Sequence, residues 1–429
     1  MDKLTITKTG CHKAADISIP SSKSYIHRYL LAALLSEGES TVENVTFSND
    51  IKATLGCIEN LGAKVDVSDG GKTIKIKGGL KKLNSVSLYC GESASAMRFI
   101  IPVAMLFSNR VTVTGEKTLM QRPLEPYFDI FRKNGVTFDY KSGEYLTVYG
   151  SLAEKEYVID GAVSSQFVTG LLFSLPLMNF DSTVKIKGAL QSKPYVDITL
   201  EVLKNSGIEI INNDYKSFFI KGNQKYTGGK FFTQGDYSQA AFFLTAGCFF
   251  GGISVSNMEP DSLQGDKVIV DILRKMGADI KSAEKGYIVE KSDLKSPGVI
   301  VATDFPDIVP ILSLACALSE GKTVIKGIHR LRIKECDRVQ ATYDVLKRLG
   351  ADISVENETI IISGKPYLSG GTVSSFNDHR MAMTAAVASL VCKNSVSILE
   401  PMSINKSYPG FYDDLLTTGG VKYEWSMGK

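Results

Sequence analysis

At 429 residues the chain exceeds what one hydrophobic core normally holds and implies two or three domains. With 44% hydrophobic and 22% charged residues, and 49 Lys+Arg against 46 Asp+Glu, it reads neither as disordered nor as a nucleic-acid binder, so any positive field must be local. Seven cysteines without a CxxC or paired spacing, four histidines and an opening MDKLTITKTG without a secretory apolar core argue against a disulfide framework, a zinc site and export.

In chain order, an N-terminal strand within residues 1 to about 19 precedes six similar blocks. The first has a helix at 21–38 (SSKSYIHRYLLAALLSEG), a strand at 40–45 (STVENV) and the signature IENLGAKVDV at 58–67. The second has a helix at 93–106, a strand at 111–116 and FRKNGVTFDY at 131–140. The third has a helix at 164–177, a strand at 182–188 and LKNSGIEIIN at 203–212. The fourth has a helix at 236–249, a strand at 253–258 and LRKMGADIKS at 273–282. Its run Ala240–Val255 is the most apolar in the chain, but it carries three glycines and falls short of the roughly 20 residues of a membrane span. The fifth has a helix at 304–321, a strand at 322–327 and LKRLGADISV at 346–355. The sixth has a helix at 377–391, a strand at 395–400 and LLTTGGVKYE at 415–424.

The signature glycines, Gly62, Gly135, Gly207, Gly277, Gly350 and Gly419, are spaced by 73, 72, 70, 73 and 69 residues. Each suits a left-handed residue closing a helix, and the alternation after it suits a strand. The six helices that open the blocks are polar at their starts and then apolar on nearly every face, which places them inside a domain. The expected fold is α/β: two inside-out, barrel-like domains, each of three βαβαββ repeats with buried helices and outer sheets. The expected domains are 20–234, and 1–19 with 235–429, with a hinge near 19–20 and 234–235.

The starts of these helices carry the chemistry. The first backbone N–H groups of a helix lack partners and bear partial positive charge. Ser or Asp there is ordinarily a cap. Lys23, Arg28, Arg98 and Arg380 sit against the dipole instead, a placement that makes sense with an anion nearby. Nearby loops add Arg122, Ser192, Lys193, Tyr195, Arg330, Arg332, Lys334, Glu335, Asp337, Arg338 and Lys406. Several cations with a few carboxylates read as a two-substrate group-transfer site for small anions.

The ordered pieces PSSKSYIHR, SAMRF, LMQRPLEP, SSQFVTGLL, SKPYVDITL, DFPDIVP, RIKECDR, FNDHRMAM and NKSYPGF resemble the motif series of the 5-enolpyruvylshikimate-3-phosphate synthase family, from about residue 20 to 411. The resemblance implies transfer of the enolpyruvyl group of phosphoenolpyruvate to the 5-hydroxyl of shikimate 3-phosphate. It places Ser24 and Arg28 on the shikimate carboxylate and Ser164, Ser165 and Ser192 around its phosphate. Tyr195 and Gln166 lie beside the ring, Lys334 orients hydroxyls, and Arg330 stands near the phosphate where some members carry Asn. Lys23, Arg122 and Lys406 match residues around the phosphate of phosphoenolpyruvate, Arg338 and Arg380 those gripping its carboxylate, and Gln166 is implied to contact phosphoenolpyruvate as well. Asp307 is implied as the base, Glu335 as the proton donor to the methylene carbon, Lys23 as the acid for the leaving phosphate and His379 as support. The fourth helix start, Asp236 to Gln239, receives no ligand and is left to the hinge. Closure of the domains is expected to assemble the site and exclude water. The cysteine and histidine pattern implies a reduced cytosol and no metal, the lack of a transit peptide a bacterial or archaeal enzyme, and the family a monomer; no cofactor, nucleic-acid or membrane partner is expected.

Where family members commonly have glycine against phosphoenolpyruvate, this chain has Ala94, in Glu92-Ser93-Ala94-Ser95. One methyl group there would exclude a slightly longer mimic, which predicts reduced sensitivity to glyphosate. The rival readings are a UDP-N-acetylglucosamine enolpyruvyl transferase and a non-catalytic binding paralogue. The first would show Lys-Asn in place of Lys23-Ser24 and a reactive loop cysteine; the nearest candidate, Cys336, reads as a Thr or Ser replacement. The second would have lost Asp307, Glu335 or Lys23.

Overall fold

The computed structural model describes residues 2–79 and 81–426. The chain forms two compact units: one spans Ser21–Gln234, and the other joins the residues up to Pro20 to those from Gly235 onward. Among the described residues there are six four-stranded sheets, three in each unit, and none closes into a barrel. In the second repeat, Val86–Tyr89 runs parallel to Arg110–Thr114, which pairs antiparallel with Tyr145–Tyr149, and that strand with Thr137–Lys141. The register sets Val111 against Val148 and Val113 against Leu146, all four buried. Alternate side chains point inward, as a half-buried strand requires.

Those inward rows pack on the six long apolar helices, Lys23–Leu35, Ala94–Phe107, Ser165–Ser174, Tyr237–Phe250, Val309–Ala317 and His379–Ala388. They are buried on nearly all faces, so sheets lie outside and helices inside. Ala94–Phe107 and Ser165–Ser174 meet where a Cβ on Gly170 would stand 2.3 Å from Tyr127 Oη and 2.7 Å from the Arg98 carbonyl oxygen. The six signature glycines all lie in the left-handed region, with φ between 64° and 98°. There a Cβ is disfavoured, so they end a helix and launch a strand with little strain.

Two features differ from the sequence reading. The N-terminal segment is two strands, not one. Lys3–Lys8 sits between Val396–Leu399 and Val421–Ser426 and completes the sixth sheet, while Ala15–Ser18 runs parallel to Ile253–Ser256 in the fourth. The first sheet likewise takes its parallel edge from the far end of its unit, Lys230–Phe232 beside Glu39–Glu43. The 304–321 helix is also shorter than expected, a 3-10 turn Pro306–Ile308 followed by Val309–Ala317.

Candidate active site

In the Ser21–Gln234 unit, four of the predicted cations lie at or near helix starts. Lys23 opens its helix and pairs with Asp50 at 2.7 Å. Arg28, one turn on, is buried and donates to the carbonyls of Ser24 (2.6 Å) and Tyr195 (2.8 Å) and to Thr199 Oγ1 (2.8 Å). Burial pushes its guanidinium down to about 10. The Arg28–Tyr195 bond ties the first helix to the start of Lys193–Asn205, where Ser192 stands at φ 56°. A buried serine held in the left-handed region costs backbone strain that a functional role commonly explains.

Beside it, Ser164 caps Ser165–Ser174 by accepting from Gln166 N–H at 3.3 Å, and Ser165 is buried with it. The Gln166 amide is held at both ends: Arg98 Nη1 donates to Oε1 (2.9 Å), and Nε2 donates to Ser95 Oγ (2.9 Å). Arg98 also donates to the Pro123 carbonyl at 2.9 Å, next to Arg122, and lies over the Phe167 ring at 4.8 Å. Ala94 is the buried first residue of its helix, which Ser93 caps through Ala96 N–H at 3.2 Å.

In the other unit Asp307 and Glu335 converge on one guanidinium, whereas the predicted Arg332 and Asp337 pair with each other at 2.8 Å and Arg332 also with Glu358. Arg338 is wholly buried and reaches Asp307 Oδ1 (2.7 Å), Glu335 Oε2 (2.7 Å) and Asp378 Oδ2 (2.7 Å). Burial alone would lower its pKa; the carboxylates of Asp378, Glu335 and Asp307 outweigh it and push the pKa up. Lys334 Nζ shares Asp307 Oδ1 at 3.1 Å, and Arg380 Nη2 lies 3.8 Å from Asp307 Oδ2. Burial lowers the pKa of the Lys334 ammonium, opposed by Asp307 and aided by Arg338 and the buried Arg330. Lys406 donates to the carbonyl of Asn377 at 2.5 Å, just before Asp378 and His379. His379 is buried with Nδ1 3.8 Å from Asp378 Oδ1.

The Asp307 carboxylate is turned to Lys334 and Arg338. Sequence reasoning missed Asp378. It caps the His379–Ala388 helix at the Arg380 N–H (2.8 Å) and at the same time pairs with Arg338, with no exposed surface. An Asp before a helix reads as a cap, and only the Arg338 contact shows the second role. Also missed were Asp50, the partner of Lys23, and Arg98, noted only as a helix-start cation. The Cys336 thiol points at Asp378 Oδ2 (3.6 Å), and burial with that carboxylate drives its pKa upward. A thiol so held is a poor nucleophile. Among the described residues no group of His, Cys, Asp and Glu is arranged to hold a metal ion, and no helix is long and apolar enough to cross a membrane.

In each unit, guanidinium groups, ammonium groups and carboxylates are gathered on a scaffold of buried helices, an arrangement suited to holding small oxyanions. A family model for EPSP synthase (3-phosphoshikimate 1-carboxyvinyltransferase) matches residues 9–415. Proteins with that carboxyvinyltransferase name from Clostridium novyi (strain NT) and Clostridium acetobutylicum are each 45% identical, the first over 96% of this chain and 97% of its own length, the second over 98% of both. An EPSP synthase structure from Acinetobacter baumannii superposes with a TM-score of 0.80 over the whole of both chains at 25% identity. The chain belongs to the EPSP synthase family of carboxyvinyl transferases.

Proposed function

We propose that the chain transfers the enolpyruvyl group of phosphoenolpyruvate to the 5-hydroxyl of shikimate 3-phosphate, releasing phosphate. The observation that carries this reading is the grouping of Asp307 and Glu335 on the Arg338 guanidinium, a base and an acid on one buried cation. In this reading Asp307 removes the 5-hydroxyl proton as the oxygen attacks C2 of phosphoenolpyruvate, while Glu335 protonates C3. Glu335 then takes a proton back from the new methyl group, the C2–O bond to phosphate breaks, and Lys23 protonates the leaving oxygen. The hydroxyl proton is thus balanced by the one that leaves on phosphate.

Ser24, Arg28, Ser164, Ser165, Gln166, Ser192 and Tyr195 bind shikimate 3-phosphate, with Lys334 and Arg330 completing its contacts. Lys23, Arg122 and Lys406 take the phosphate of phosphoenolpyruvate, Arg338 and Arg380 its carboxylate, and His379 supports Arg380. Planar guanidinium suits the carboxylate because it offers paired donors. Since Arg338 already bears Asp307 and Glu335, the incoming carboxylate competes with them and frees them for proton transfer. Ala94 reduces sensitivity to glyphosate. The test is phosphate release with both substrates: turnover lost in Asp307→Asn and Glu335→Gln is expected, and an inactive wild type that binds both substrates would overturn the reading in favour of a binding protein.

A further inference from the structure

The helix start of the fourth repeat, Asp236 to Gln239, has no ligand in the reading above, yet it is tied to Arg380. The Ser238 carbonyl accepts from Arg380 Nη1 at 3.0 Å, and the Ser238 hydroxyl accepts from Nη2 at 2.9 Å. One residue therefore receives one N–H from each terminal nitrogen of the guanidinium. The same hydroxyl donates its proton to Asp236 Oδ1 at 2.5 Å. With that proton committed to the carboxylate, only its lone pairs face the arginine. Asp236 already caps the helix through the Ser238 N–H at 2.9 Å, so the hydroxyl is not needed as a cap.

Beyond Ser238, Arg380 faces the carboxylates of Asp307 and of the buried Asp266, whose raised pKa its charge opposes. Its Nη2 lies 3.8 Å from Asp307 Oδ2, too far for a hydrogen bond, and its buried Nε has no hydrogen-bond partner among the described residues. We infer that Ser238 is the positioning residue for Arg380: its carbonyl and its hydroxyl, the latter held by Asp236, turn the guanidinium so that the Nε edge is kept for a substrate carboxylate. Without the hydroxyl, Nη2 would turn to Asp307, drawing the proposed base and the carboxylate grip together.

This rests on the reading of Arg380 as a phosphoenolpyruvate ligand, and the test separates the two. Ser238→Ala is expected to raise the KM for phosphoenolpyruvate by roughly 10-fold or more, the scale of a charge-assisted hydrogen bond. The KM for shikimate 3-phosphate should stay within about twofold, and Ser238→Thr, which keeps the hydroxyl, should restore the wild-type value. In an Arg380→Lys background, Ser238→Ala should add little, because the two residues act as one unit. Equal rises in both KM values, or full multiplication of the Arg380→Lys defect, would overturn the inference. The side-chain Nε–H resonance of Arg380, identified by its loss in Arg380→Lys, is read without substrate. It is expected to shift in Ser238→Ala but not in Ser238→Thr, and an unmoved resonance overturns the positioning role whatever the turnover. An inactive wild type with a shifted resonance would fault the catalytic reading and leave the positioning intact.

Discussion

Arg338 and Asp378 face each other with essentially no solvent exposure, Nε to Oδ2 at 2.7 Å, and Asp378 caps the helix that carries Arg380. One carboxylate thus contacts both arginines proposed for the phosphoenolpyruvate carboxylate, Arg338 through its side chain and Arg380 through its backbone N–H. Removing a partner that leaves a buried charge alone costs about 3–5 kcal/mol; Asp307 and Glu335 stay on Arg338, so losing Asp378 costs the smaller penalty of a lost charged hydrogen bond, about 1–3 kcal/mol. Asp378→Asn is therefore expected to lower unfolding free energy on that scale, read by urea denaturation, and to lower turnover with it. A variant as stable and as active as wild type would show that the pair is dispensable.

Arg28→Lys should weaken the Ser21–Gln234 unit and raise the KM for shikimate 3-phosphate. Arg28 satisfies two carbonyls and a hydroxyl on two helices, which a single ammonium group cannot span. The expected loss is about 1–3 kcal/mol in a denaturant titration. If stability and shikimate 3-phosphate affinity are both retained, the guanidinium geometry is not what the site uses.

Gly170→Ala tests the close approach of two buried helices. The added Cβ would meet Tyr127 Oη and the Arg98 carbonyl, which themselves are bonded at 2.5 Å. Overpacking of this kind costs about 1–3 kcal/mol. Since Arg98 and Gln166 ride on these two helices, the melting temperature and the KM for shikimate 3-phosphate should worsen together; a lower melting temperature with unchanged KM would uncouple the packing from the site.

Ala94→Gly should tighten inhibition by glyphosate by roughly 10-fold or more while moving the KM for phosphoenolpyruvate much less. Ala94 is buried at the first position of its helix, so its methyl group has little freedom to turn aside. An unchanged inhibition constant would show that the methyl group does not face the inhibitor.

Asp266 gives a pH prediction. Burial first, and then the charge of Asp307, push its carboxyl from 3.8 up to about 7; Asp236 adds to the rise, and Arg380 and Lys334 oppose it. A raised folded-state pKa means stability that is complete below about pH 4 and is lost as pH climbs toward about 7. Asp266→Asn, permanently neutral, lacks that loss. Its melting temperature relative to wild type should therefore rise between pH 4 and 7 and level off above about pH 8. A difference independent of pH would mean that Asp266 does not titrate in this window.

Local pattern was enough for the repeat, the inside-out layering and most of the cationic residues. Glycines at near-constant spacing mark left-handed turns wherever the chain folds, and a helix apolar on all sides has to be buried. Pairing between distant segments left no comparable mark. Lys230–Phe232 is three residues long, and its partner Glu39–Glu43 lies nearly two hundred residues away. Only assembled backbone shows that it completes the first sheet, or that Lys3–Lys8 and Ala15–Ser18 serve two different sheets. The same divide runs through the site. Lys23, Arg28, Arg98 and Arg380 stood out because a cation in the first turns of a buried helix is costly without a partner, and Glu335 and Arg338 as charges in a loop beside one; Asp307 entered only through the family resemblance. Asp378 and Ser238 look in sequence like ordinary helix-start residues. Their second roles come from where Arg338 and Arg380 reach across the fold, a matter of side-chain direction that tertiary packing alone decides.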